Sequence, residues 1–116
     1  MATAQIIPHL TDMIEACARI SGVLEDLSIE AFEADWQKRW LVERGLEIVS
    51  EASRRLPEAA KARHPEIPWP KVAGIGNILR HEYQRVAADV LWKLGRYDLP
   101  VLKRVCEEEL ALSRGE

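Results

Sequence analysis

Cysteine is scarce in this sequence: only Cys17 and Cys106 are present, far apart and outside any CxxC or Cys/His ligand spacing. That excludes a disulfide framework and gives no sign of a zinc site, so both thiols are expected to stay reduced. No apolar run approaches the roughly 20 residues needed to cross a bilayer. The opening MATAQIIPHL lacks the basic start and long apolar stretch of a secretory signal. A cytoplasmic protein without membrane contact is therefore expected. Positive charge is not in excess either. Sixteen Lys and Arg against nineteen Asp and Glu leave a formal net charge of −3, which argues against broad nonspecific binding to nucleic acid and confines any RNA chemistry to a local patch. Strand-like alternation, hairpin turn signals and internal repeats are also missing, which leaves an all-α chain.

What the sequence does have is helical periodicity, in a chain of 116 residues that suits one domain, residues 1–116, with a single core. Between His9 and Leu24, the residues Leu10, Met13, Ile14, Cys17, Ile20 and Leu24 follow the i, i+3, i+4, i+7 template of an amphipathic helix. Gly22, about 1 kcal/mol less favourable than Ala in a helix, marks a point where it would weaken or bend. Asp26 to Ser28 reads as a turn, with Ser28 capping a short segment over 29–34. Asp35 is placed to cap the longest pattern, Trp36 to about Leu56, which Pro57 ends. Its apolar residues Trp36, Trp40, Leu41, Leu46, Ile48, Val49, Ala52 and Leu56 cover more than one stripe, as in a helix packed on two sides or lying at a subunit interface. Glu43, Glu47 and Glu51 form an acidic row that is either a solvated face or the source of a partner for an active-site arginine. HPEIPWP, 64–70, is a stiff connector. Pro70 falls in the first turn of a third helix carrying Val72, Ile75, Ile78, Leu79 and Val86, up to a break near 87–89. A short segment over 90–94 stops at Gly95, and Asp98 is placed to cap a last helix over 99–112 with Pro100 in its first turn. The expected architecture is an antiparallel bundle of four or five helices.

Steps of 100° from Gly76 gather Val72, Ile75, Ile78, Leu79 and Val86 into a core sector. They leave Asn77, Arg80, His81, Tyr83 and Gln84, with Gly76, in the remaining arc. An amide, a guanidinium, an imidazole and a phenol on one face suit phosphodiester cleavage without a metal. The His gives or takes a proton, the Arg neutralises the phosphorane, and Asn or Tyr orients the substrate. The plainer reading is a solvated helical His and a half-buried Tyr whose hydroxyl finds a hydrogen bond. Cleavage through the ribose 2′-OH needs a proton acceptor and a donor together, which one His cannot supply at once. A two-fold dimer that brings two copies of the helix together meets that need.

The stretch HPEIPWPKVAGIGNILRHEYQRVAADVLWKLGRYDLPVL, with RGLEIVSEASRRL before it, closely resembles the HepT-like branch of the HEPN superfamily, and the likeness extends over nearly the whole chain. The family pattern is Arg, four to six residues, His, one residue, Tyr. Its His and Tyr fall on His81 and Tyr83, and the Asn that commonly follows the motif Arg falls on Asn77. The motif Arg position is occupied by Gly76, while Arg80 lies one turn further along the same face and can project charge into a similar volume. The resemblance implies a dimerising helical bundle and the toxin of a type VII-like toxin–antitoxin pair. Its activity would be that of a metal-independent RNase needing no cofactor and acting on tRNA or mRNA. The implied partner is a minimal nucleotidyltransferase antitoxin that silences the toxin by attaching AMP to Tyr83. Phosphates added beside His81 would occupy the RNA phosphate site and repel the substrate backbone.

Two functional readings follow. In the first, His81 is the general acid/base, Arg80 the substitute phosphate clamp, and Asn77 and Tyr83 support them. In the second, Gly76 has silenced the site, and the domain serves as binding partner or substrate of the nucleotidyltransferase. A structural helical dimer, for which the four Trp and the breadth of the long helix suffice, is a third.

Overall fold

The computed structural model describes residues 5–82 and 87–115. Among them the helices run in the order α1 (Ile7–Leu24), α2 (Ile29–Glu33), α3 (Trp36–Arg54), α4 (Glu58–Ala62), α5 (Trp69–Glu82), α6 (Ala88–Lys93) and α7 (Leu99–Ser113). A π-helical turn, Leu94–Asp98, joins the last two. No strand occurs among the described residues, and no helix is long and apolar enough to cross a membrane. The all-α bundle expected from the periodicity is what the structure has.

Two side-chain caps fall where the sequence puts them. Ser28 Oγ accepts from the Ala31 N–H at 3.1 Å, and Asp35 Oδ1 accepts from the Lys38 N–H at 3.1 Å. Each satisfies a donor that the first helical turn leaves unpaired, a gain of about 1 kcal/mol. The core forms where α1 packs between α3 and α7, with α3 in turn packed on α5. Leu10, Met13, Cys17, Ile20 and Leu24 of α1 face Val42, Leu46 and Val49 of α3 and Leu102, Val105 and Cys106 of α7, all buried, and α2 delivers the fully buried Phe32. Truncating a residue such as Phe32 to Ala would cost about 3–5 kcal/mol. Burial pushes the thiols of Cys17 and Cys106 up to about 12, so both stay protonated, inert core residues.

The C-terminal third departs from the sequence reading. Gly95 is no stop: it lies buried inside the π turn, which runs directly into α7. A Cβ at Gly95 would meet Leu24 Cδ1 at 2.5 Å and Ile20 Cγ2 at 2.9 Å, so the glycine is there to let the turn close on α1. Arg96 donates to the Leu24 carbonyl at 3.0 Å and Trp92 Nε1 to the Leu27 carbonyl at 2.8 Å, fixing the turn to the end of α1. Asp98 makes no side-chain cap because its backbone is already helical (φ −86°, ψ −40°). Gly22 does not interrupt α1, and α4 is a short helix that the periodicity did not announce.

A second tie joins the connector to the last helix. Glu109, 4% exposed, accepts from Arg63 Nε and Nη2 at 2.8 Å each and pairs with His64 Nε2 at 2.9 Å. The Arg63 hydrogen bond is the main reason the Glu109 carboxyl is held below its usual range.

Candidate active site

α5 is anchored before it begins. Trp69 Nε1 donates to the carbonyls of Lys61 and His64, at 3.1 Å each, and the Pro68 carbonyl accepts from the N–H groups of Lys71 and Val72. Pro70 sits in the first turn, where its missing N–H leaves nothing unpaired. Only one narrow sector of α5 packs inward: Val72, Gly76 and Leu79 are buried and Ile75 is half-buried. Ile78, assigned to the core by the 100° projection, is 46% exposed. Gly76, assigned to the polar arc, instead lies under α3, because α5 has α3 as its main packing partner and buries little else.

The α3–α5 contact is made by polar atoms at Gly76. Ser50, 1% exposed, accepts from the Gly76 N–H at 3.0 Å and donates to the Ala73 carbonyl at 2.8 Å. From one turn further along α3, Arg54 donates Nε and Nη2 to the same carbonyl, at 2.9 and 2.7 Å. The two helices are therefore antiparallel here, with Ser50 beside Gly76 and Arg54 beside Ala73.

Asn77, Arg80 and His81 are all exposed on the solvent side of α5. Within the described residues no hydrogen bond or ion pair ties down any of the three side chains, so imidazole, amide and guanidinium are free to meet a ligand. The Arg80 guanidinium folds back along the helix. Its Nη1 lies 3.4 Å from the point where a Cβ on residue 76 would stand, so Arg80 and position 76 serve one volume. Tyr83, the expected AMP acceptor, and Val86 of the expected core set lie outside the described residues. The acidic row pairs with cations of its own helix, Glu43 with Arg39 at 2.9 Å and Glu51 with Arg55 at 3.0 Å and Arg54 at 3.8 Å. None of it pairs with Arg80. Among the described residues no group of three His, Cys, Asp or Glu side chains is placed to hold a metal ion.

Sequence reasoning missed Ser50 and Arg54, which reach the site from α3. The usable signal was their i, i+4 spacing on a helix whose small residue matches a glycine on the opposite one.

The family model described as "Ribonuclease HepT-like" matches residues 13–109. A Thermococcus cleftensis protein named as a probable ribonuclease HepT is 39% identical over 82% of this chain and 86% of its own. A Methanocaldococcus jannaschii protein named as a putative RNase is 30% identical over 92% of this chain and 98% of its own. One from Caldanaerobacter subterraneus, named likewise, is 29% identical over 89% and 92%. No solved structure gives a significant match. The family-model match over most of the chain and the 39% identity to the Thermococcus cleftensis protein show that this helical bundle belongs to the Ribonuclease HepT-like family.

Proposed function

We propose that this chain is a metal-independent endoribonuclease that cleaves RNA at the exposed face of α5. The observation that carries the reading is the placement of the Arg80 guanidinium over residue 76, beside Asn77 and His81, in a Ribonuclease HepT-like chain. His81 takes the proton of the attacking 2′-OH or gives a proton to the leaving 5′-oxygen. Arg80 neutralises the charge that builds on the phosphorane, and Asn77 orients a phosphate oxygen or base edge. Acid and base come from two copies of the chain in a two-fold dimer. The exposed Trp36 and Trp40 support that assembly: 60% and 63% accessible, they pack edge to face at 4.8 Å on α3, the helix that holds α5. Paired apolar rings of this size on a surface helix mark an interaction surface.

The physiological role that fits is the toxin of a type VII-like toxin–antitoxin pair, acting on tRNA or mRNA. A minimal nucleotidyltransferase antitoxin would neutralise it by AMPylation of Tyr83. Incubation of purified protein with labelled RNA in excess EDTA tests the enzymatic core of the proposal: wild type cleaves and His81→Ala does not. Equal cleavage by both would refute it.

One observation favours a second reading, a silent domain that only binds the nucleotidyltransferase. Position 76 supplies no guanidinium, and its space is bounded by Ser50. Inactive wild type, with activity gained when Arg is installed at 76, would decide for it.

A further inference from the structure

The Ala73 carbonyl carries more donors than it can satisfy. Ser50 Oγ and both Nε and Nη2 of Arg54 point at it within 2.9 Å, while a carbonyl oxygen has two lone pairs. Three strong side-chain donors thus converge on one acceptor at the edge of the α5 face that bears Asn77 and Arg80. Ala73, Asn77 and Arg80 lie within about 60° of one another around the helix axis. Arg54 is only partly drawn off elsewhere. Its Nη1 stands 3.8 Å from Glu51, which makes its closer contact, 3.0 Å, with Arg55, and its side chain is 39% accessible. A surplus of donors around a half-exposed guanidinium is the arrangement that an additional acceptor of negative charge completes. The second guanidinium on this face, that of Arg80, has no hydrogen-bond acceptor among the described residues.

We propose that Arg54 is a phosphate-binding residue. It donates to a phosphodiester of single-stranded RNA next to the one held by Arg80, so that the binding charge of the site comes from two helices and not from position 76. Arg54 keeps its hold on the Ala73 carbonyl through Nε and turns its Nη groups to the phosphate oxygens, in the forked geometry that guanidinium and phosphate share. Ser50 and the helix's own i+4 N–H stay on that carbonyl, whose two lone pairs are then already shared, so that releasing the Nη contact costs it little. This inference rests on the reading of the α5 face as the RNA site.

The test is equilibrium binding of a fluorescent, uncleavable 2′-O-methyl oligoribonucleotide over a range of salt concentrations. Proteins compared are wild type, Arg54→Gln, Arg54→Lys, Arg80→Gln and, as a control of equal charge change, Arg19→Gln on α1. RNA cleavage by wild type and His81→Ala is measured in parallel. Each lost phosphate contact should lower the slope of log K against log salt by about 0.7 and weaken binding about fourfold near 0.15 M salt. Arg54→Gln and Arg80→Gln should each show that loss. Arg54→Lys should restore the slope, and Arg19→Gln should leave it unchanged. A donor that served only to join α3 to α5 would not change the slope. A wild-type slope in Arg54→Gln, with cleavage still dependent on His81, would overturn the role of Arg54 alone. Absence of salt-dependent binding by wild type, or cleavage indifferent to His81, would overturn the reading beneath it as well.

Discussion

Replacing Glu109 by Gln should weaken the fold without touching α5. Glu109 receives two hydrogen bonds from Arg63 and one from His64 while 4% exposed. In the amide, one oxygen can still accept from Arg63 Nε and His64, but the NH2 group faces the Arg63 Nη2 donor. One bond to a charged group is lost, about 1.5–3 kcal/mol. Arg63 is half-exposed and regains part of its hydration, which trims the expected loss to about 2 kcal/mol. With a urea m-value of about 2 kcal/mol/M, the unfolding midpoint at pH 7 should fall by about 1 M. The pH dependence carries its own check. Because the folded carboxyl is held below its unfolded value, chiefly by the Arg63 hydrogen bond, its contribution is complete above about pH 4.3 and is lost as pH falls through the lower folded value. The gap between wild type and Glu109→Gln should therefore close as pH falls from 5 towards 3. Coincident midpoints at pH 7, or a gap constant down to pH 3, would refute the assignment.

Two further outcomes follow from the geometry. Gly76→Arg should destabilise by about 1–3 kcal/mol, because its Cβ would stand 3.1 Å from Ser50 Oγ and 3.3 Å from Ser50 Cβ and Ser50 is held by two hydrogen bonds. A fully stable Gly76→Arg variant in thermal melts would count against the packing described. Trp36→Glu combined with Trp40→Glu should turn the proposed dimer into a monomer with unchanged helical circular dichroism. A sedimentation profile identical to wild type would remove this face from the interface.

Much of the fold was legible because helical period and caps are local. Ser28 and Asp35 announce their roles three residues away, and the expected apolar residues of α1 are buried except Ile14, which is half-buried. The errors arise where a distant contact decides. Gly95 reads as a stop, yet it is required by Ile20 and Leu24, more than seventy residues earlier in the chain, and the π turn it permits leaves Asp98 with nothing to cap. Ile78 and Gly76 exchange sides because the projection assumes a broad buried sector, whereas α5 buries a narrow one. The Arg63–His64–Glu109 cluster joins residues up to 46 positions apart and has no local signature. The shared exposure of Asn77, Arg80 and His81 on α5 was readable from their common arc. Ser50 and Arg54 were not, since nothing in α3 alone says which glycine it will face.

In the proposed reaction His81 transfers protons as RNA is cleaved through the 2′-OH. The most direct measurement is single-turnover cleavage, in excess EDTA, of an RNA oligonucleotide and its all-deoxy counterpart by wild type and His81→Ala, with the product ends identified. The account predicts a cut RNA ending in a 2′,3′-cyclic phosphate, an intact DNA, and a rate at least about 100-fold lower without the imidazole. Cleavage of both strands, or an equal rate in His81→Ala, would contradict it.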